Sequence, residues 1–133
     1  MRCVITFGTF DLFHYGHLRL LERASECGDK LYVGISSDAF SAKKKGRLPV
    51  YNEFERMSIV SALSCVDGVF LEESMEAKRK YLSEYNADVL VMGCDWQDKF
   101  DELKDICDVI YLDRTVSISS TEIISRINTD YKF

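Results

Sequence analysis

No stretch of this 133-residue chain approaches the roughly 20 consecutive apolar residues needed to cross a bilayer, so no transmembrane helix is expected. The N-terminal Met1-Arg2-Cys3-Val4 runs straight into a strand pattern and lacks the apolar core and small-residue cleavage site of a signal peptide. The five cysteines, Cys3, Cys27, Cys65, Cys94 and Cys107, are an odd number at wide spacings with no CxxC pair. That pattern excludes a zinc ribbon or a dithiol redox motif and suits small apolar side chains in a reducing, cytoplasmic setting. Positive charge is not in excess: the formal net charge is -5, which argues against a general nucleic-acid binder or a protein drawn to anionic membranes. There is no internal repeat, low-complexity tract or interdomain linker, and the length suits one domain over residues 1–133. The nucleotide motifs GxxxxGK[ST] and GxGxxG are missing, and no Ser-His-Asp order can be supported, so a P-loop kinase or a nicotinamide dehydrogenase is not indicated.

What is present is an alternation of short β-branched runs with helical stretches. Strand patterns fall at residues 3–7, 31–36, 68–71, 89–92 and 109–112. Helical patterns fall at residues 16–26, ended by Gly28, and 52–63, capped by Asn52 and carrying Phe54, Met57, Ile59, Val60 and Leu63 as apolar contacts. Further helices are expected at 74–85 behind a Ser74 cap, at 99–106 and at 120–128. Residues 38–51 hold Lys43, Lys44, Lys45 and Arg47 with Gly46 and the single proline, Pro49, and read as a long exposed loop. Strands alternating with helices give an α/β, Rossmann-like three-layer fold on a five-stranded parallel sheet, whose ligands bind beyond the carboxyl ends of the strands.

The polar features obey that rule. After the first strand comes Gly8-Thr9-Phe10-Asp11, then a helix start bearing both of the chain's histidines, His14 and His17, with Tyr15 and Gly16 between them. Three residues apart on a helix, the histidines share a face, where N–H donors can stabilise charge on a phosphoryl group. Capping or surface histidines, or a zinc pair, are the alternatives, but no third ligand stands at a familiar spacing. The basic run 43–47 is a solvated surface or a mobile phosphate-binding lid, and Lys78 lies in a helix that looks like ordinary surface. After the fourth strand, Gly93-Cys94-Asp95-Trp96 offers a carboxylate for a ribose or base, or a plain helix entry. After the fifth, Arg114-Thr115-Val116-Ser117-Ile118-Ser119-Ser120-Thr121 is either a hydroxyl-rich cap or a second phosphate cradle.

The stretches GTFDLFHYGH and RTVSISST resemble the two signatures of the HxGH nucleotidyltransferase superfamily. The opening VITFGTFDLFHYGHLRLLERA, the segment 91–101 and VIYLDRTxxIS together resemble the bacterial glycerol-3-phosphate cytidylyltransferases, from about residue 3 to residue 127. The resemblance implies a homodimer that joins CTP to sn-glycerol 3-phosphate, giving CDP-glycerol and pyrophosphate by direct in-line attack, with Mg²⁺ arriving on CTP. The product would feed teichoic acid or capsule synthesis. It implies that Gly8, Thr9, Phe10, Tyr15, Gly16 and Gly93 line the CTP site. His14 and His17 would contact the phosphates, and Asp95 would lie near the cytidine. Residues Arg114 through Thr121 would surround base and triphosphate. His14, His17, Lys44 and Arg114 are the implied catalytic groups. Lys44 and Lys78 would hold the acceptor, and Asp11 would fix the turn or lie near the acceptor. The chain departs from the family pattern at Cys94, Val116, Ser117 and Met75, where the family carries an acidic residue, a glutamate, a glycine and an aromatic. A different alcohol- or sugar-phosphate acceptor, ATP as the donor, or a non-catalytic nucleotide module are the rival readings.

Overall fold

The computed structural model describes residues 1–113 and 120–130. Its centre is a five-stranded, wholly parallel sheet in the order β3-β2-β1-β4-β5. The strands are β1 (Cys3–Gly8), β2 (Lys30–Ser36), β3 (Gly68–Glu72), β4 (Val89–Gly93) and β5 (Asp108–Leu112). β1 pairs with β2 from Cys3 opposite Lys30 to Gly8 opposite Ile35, and with β4 from Val4 opposite Val89 to Thr6 opposite Val91. The chain therefore winds outward in one direction through β2 and β3 and in the other through β4 and β5. The reversal beside β1 opens a crevice above the strand ends.

Side chains alternate across a strand, so a sheet covered on both faces needs apolar residues at consecutive positions. Val4 and Ile5, and Val89 and Leu90, do this. Val4, Val89 and Val91 join Leu21, Ala24, Val33 and Val60 on the face covered by helices α1 (Tyr15–Ser25) and α3 (Glu53–Ser61). Ile5, Phe7, Leu90 and Met92 pack with Leu82 of α4 (Lys78–Glu84) and with Phe100 and Leu103 on the other face. The last helix, α5, spans Ser120–Asp130. Among the described residues no helix is long and apolar enough to cross a membrane.

Several local expectations are corrected. Residues 38–45 are not loop but helix α2 (Asp38–Lys45). Ser37 caps it by accepting the Phe40 N–H, and Phe40 and Ser41 turn inward. The three lysines occupy its last turn, where the helix dipole favours them, and Gly46 ends it at φ 76°. The fourth helix begins at Lys78 rather than beside Ser74, whose hydroxyl instead accepts the Ala77 N–H in a preceding turn. Residues 99–106 form a 3₁₀ turn, Asp101–Asp105. Gly28 does not end α1 in a left-handed conformation: the helix closes at Glu26, and a Cβ at Gly28 would lie 2.7 Å from the Arg2 carbonyl. In α3, Phe54 and Ile59 are exposed and the inward positions belong to Arg56 and Val60, one turn apart.

Arg56 is fully buried. Its Nε donates to the Tyr51 carbonyl at 2.9 Å, and its Nη1 to the carbonyls of Thr9 at 2.9 Å and Ser36 at 2.7 Å. Its Nη2 pairs with Asp38 Oδ1 at 2.7 Å. One guanidinium thus ties the ends of β1 and β2 to the starts of α2 and α3. Arg56→Met removes the charge and leaves three carbonyls and a carboxylate without their donor, a loss of about 3–5 kcal/mol. Arg56→Lys does not restore it, because a single ammonium cannot span the fork. Urea unfolding checks this: a midpoint within error of wild type for Arg56→Met refutes the clamp.

Candidate active site

A cavity of about 540 Å³ opens above the carboxyl ends of the strands. One wall is the turn after β1 and the start of α1. His14 is the N-cap of α1: its Nδ1 accepts the Gly16 N–H at 3.0 Å, while His17 Nδ1 accepts the His14 N–H at 3.2 Å. The histidines therefore form a reciprocal capping box, the arrangement that Ser and Glu make elsewhere. Each ring spends its Nδ1 lone pair on the backbone, so in the neutral state the proton sits on Nε2. The rings stack with centroids 3.8 Å apart, and the edges of Phe10 and Phe13 pack around His17. Burial, then the neighbouring His14 and Lys45, push His17 down to about 3, and burial also lowers His14. At neutral pH the wall presents uncharged imidazole donors rather than imidazolium acids.

The turn that delivers them is strained. Phe10 and Leu12 hold positive φ angles of 55° and 49°, unusual for bulky side chains. Arg56 fixes it at the Thr9 carbonyl. Asp11 fixes it from the other side, accepting the N–H groups of Leu12, Val50 and Tyr51, while its own carbonyl accepts from Ser120 Oγ at 2.6 Å. With its oxygens turned to the 50–51 backbone, Asp11 fixes the turn, one of its two expected roles. Tyr15, the first residue of α1, is 55% exposed.

Across the cavity stands a second group. Lys78 and Glu72 form an ion pair, both almost wholly buried, and Lys78 Nζ lies 4.5 Å from the Phe7 ring centroid and 5.3 Å from that of Phe100. Burial raises the Glu72 carboxyl and lowers the Lys78 ammonium, while their mutual attraction opposes both shifts. Lys44, exposed along its length, turns its ammonium back to Ser36 Oγ at 3.1 Å and over the Phe40 ring at 4.3 Å. Burial lowers its pKa too. Lys45 also reaches the wall.

The remaining wall carries Gly93, Asp95 and Trp96, with Trp96 tilted against Phe100 at 5.4 Å. Gly8, Thr9, Phe10, Gly16, Ser120 and Thr121 line the same space. The expectations at Arg114, Thr115, Val116, Ser117, Ile118 and Ser119 lie outside the described residues. Sequence reasoning passed over Glu72, Arg56, Phe7 and Phe100. Glu72 left one trace: it is a carboxylate ending the otherwise apolar strand GVFLE.

Among the described residues no group of three or more His, Cys, Asp or Glu side chains could hold a metal ion.

Comparison with known proteins agrees with this architecture. The cytidylyltransferase-like family model matches residues 5–126. Glycerol-3-phosphate cytidylyltransferase of Bacillus subtilis is 48% identical over 128 residues, 96% of this chain and 98% of that protein. The enzyme of the same name from Staphylococcus aureus is 45% identical over 92% of each chain. A crystal structure of a lipopolysaccharide core biosynthesis protein from Thermoplasma volcanium superposes with a TM-score of 0.73 at 25% identity, covering 87% of this chain and 99% of that one. With the sheet order, the histidine-capped helix and near end-to-end similarity in agreement, the chain belongs to the cytidylyltransferase-like family.

Proposed function

We propose that this chain is a single-domain, cytoplasmic glycerol-3-phosphate cytidylyltransferase that transfers CMP from CTP to sn-glycerol 3-phosphate. A phosphate oxygen of the acceptor attacks the α-phosphorus of CTP. The bond from that phosphorus to the bridging oxygen breaks, and pyrophosphate leaves with the electron pair. The observation that carries the reading is one cavity lined both by the stacked His14–His17 pair and by Lys44 and Lys78. It occurs in a chain that matches glycerol-3-phosphate cytidylyltransferases along nearly its whole length. The homodimer implied by the resemblance and a place in teichoic acid or capsule synthesis belong to the same proposal.

In this reading the histidine wall takes the triphosphate. His14 and His17 donate from Nε2 to oxygens on which charge builds, and as neutral groups bound to backbone they need no rearrangement during reaction. The backbone of Thr9 and Phe10 is assigned to the CTP phosphates, residues Arg114 through Thr121 to the base and triphosphate together, and Asp95 to the neighbourhood of the cytidine. The lysine wall takes the acceptor phosphate through Lys44 and Lys78. No side chain is asked to form a covalent intermediate; catalysis consists of bringing two anions together and neutralising them. The donor set suits Mg²⁺ entering on the triphosphate, as part of the MgCTP substrate, rather than in a protein cage.

A second acceptor is favoured by one observation. Met75 stands on the cavity wall beside Lys78, where the resembled enzymes carry an aromatic, and a flexible thioether admits other shapes. Mass analysis of products from CTP or ATP with a panel of alcohol phosphates decides the matter. CDP-glycerol from CTP and glycerol 3-phosphate is the expected product; turnover with ATP alone, or with none of the panel, refutes the reading.

His17→Ala lowers kcat by about 10²–10³, the loss seen when one donor to a developing oxyanion is deleted. It also removes half of a capping box, a loss of about 1 kcal/mol, so thermal unfolding is measured alongside to confirm that the variant is folded at the assay temperature. Near-normal kcat refutes the role.

The His17 titration gives a third outcome. Its folded pKa of about 3 lies below the ordinary value of 6.5, so the unfolded chain binds the proton first as pH falls. The contribution of this group to stability is complete above pH 6.5 and declines steadily as pH drops toward 3. Imidazole ¹⁵N shifts of His17 are expected to stay those of the neutral Nε2–H tautomer from pH 8 to pH 5; an inflection near 6.5 contradicts the neutral donor.

A further inference from the structure

Glu72 has no part in the reaction as drawn above, yet it is an almost completely buried carboxylate on the wall of a cavity meant for anions. A negative charge in that place repels a phosphate. Its neighbours give a reason for it. Lys78 Nζ donates to Glu72 Oε2. Ser36 Oγ lies 3.5 Å from Glu72 Oε1 and accepts from Lys44 Nζ at 3.1 Å. The order Lys44–Ser36–Glu72–Lys78 links both acceptor lysines to one carboxylate. Glu72 is the last residue of β3, held in register with Ser36 of β2, so this anchor is part of the sheet and cannot drift as a loop side chain would. Lys78, by contrast, ends a flexible four-carbon stem and is otherwise bordered by the rings of Phe7 and Phe100.

We propose that Glu72 is the positioning residue of the acceptor half-site: its carboxylate keeps Lys78 charged and aimed into the cavity, so that the acceptor phosphate meets an ammonium already stripped of water. The proposal rests on the glycerol-phosphate reading for the identity of the acceptor, but not for the Glu72–Lys78 linkage itself. A lysine buried among aromatic rings without a counter-charge favours its neutral form, which cannot bind a phosphate as a cation. The other charged and titratable groups on the cavity wall are Lys44 and Lys45 from α2, the two histidines and Arg23 from α1, Asp95 after β4 and Asp113 after β5, and Arg56 from α3 acts on Lys44. Burial, then Lys78, Lys45 and Arg56, disfavour the charge on Lys44, while on Lys78 itself burial opposes the charge and the attraction of Glu72 sustains it.

The test compares wild type with Glu72→Gln, Glu72→Asp, Lys78→Ala and the Glu72→Gln/Lys78→Ala double variant between pH 6.5 and 9. Glu72→Gln is expected to raise KM for sn-glycerol 3-phosphate about tenfold at pH 8, with KM for CTP within about twofold of wild type. Expressed relative to wild type at each pH, the defect shrinks toward pH 6.5, as Lys78 regains its proton. Glu72→Asp keeps the charge, so its smaller KM defect is independent of pH; this variant decides the matter if the glutamine variant does not fold. Lys78→Ala shows a defect without recovery at low pH, and the double variant is no worse than Lys78→Ala. Unchanged or lowered acceptor KM in Glu72→Gln, or equal rises in both KM values, overturns the proposal. Nζ ¹⁵N spectroscopy of Lys78 separates this idea from the choice of acceptor. If wild type does not use glycerol 3-phosphate, the acceptor reading falls. An ammonium signal lost at lower pH in Glu72→Gln than in wild type still sustains the linkage, and equal titration in the two refutes it.

Discussion

The site depends on one buried guanidinium. The turn after β1 must place a backbone and two histidines above the sheet, and it does so through positive φ angles at Phe10 and Leu12 that bulky residues rarely hold. Such a conformation persists only if its surroundings overdetermine it. Arg56 supplies that constraint by gripping the Thr9 carbonyl with the same Nη1 that grips Ser36, while Nη2 holds Asp38 at the start of the lysine-bearing helix. Asp11 closes the opposite side of the turn on Val50 and Tyr51. The two halves of the cavity, carried by α1 and α2, are thereby built around a shared rigid junction. An ion pair between the buried Arg56 and the partly exposed Asp38 is weak evidence for stability in itself. Here Nε and Nη1 of the buried guanidinium also satisfy three backbone carbonyls at strand ends and a helix start, so its principal effect is geometric.

A second constraint acts through proton placement. A histidine offers one acceptor and one donor when neutral, and the capping box fixes which nitrogen is which. The helix start uses the acceptors of His14 and His17 for its own orphan N–H groups, and the cavity receives the donors. Burial lowers both rings, and because they stack at 3.8 Å the neighbouring His14 lowers His17 further. Under the proposed function, capping and catalysis are two consequences of a single hydrogen-bond pattern: the bonds that cap the helix also preorganise the Nε2 donors.

Much of this was legible in the chain because the relevant signals are local or periodic. Paired apolar residues such as Val4-Ile5 and Val89-Leu90 announce strands buried on both faces, and His14-x-Gly16-His17 after a strand announces a helix start above the sheet. The failures share a physical cause. Residues 38–45 looked like loop because three lysines and a following glycine outweighed Ser37 and Phe40, whose value as cap and anchor depends on a neighbouring strand. Lys78 looked like surface although its partner Glu72 is close in sequence, and Arg56 drew no reading because its burial is set by partners far along the chain: Thr9 lies 47 residues from it. Phe54 was assigned to the core on hydrophobicity, but the inward face of α3 follows Arg56 and Val60, one helical turn apart. Periodicity locates a face only once the charged residue that shares it is recognised as buried.

The two walls of the cavity differ in how they are held, and that difference bears on how substrate choice is divided. The histidine wall is fixed by backbone bonds within one turn and one helix, and by Asp11 and Arg56 behind them. Its shape suits a part of the reaction that stays the same whatever is cytidylylated. The lysine wall is assembled from α2 and α4, helices of eight and seven residues, with Met75 in the turn that precedes α4. Its charges are referred to the sheet through Glu72 and Ser36 rather than through the nucleotide wall. A change at Met75 therefore alters the space around the acceptor without touching a hydrogen bond on which the histidines rely. On this division, acceptor identity is the property the fold can vary at little structural cost, while donor activation is bound to the same contacts that let the first turn form at all.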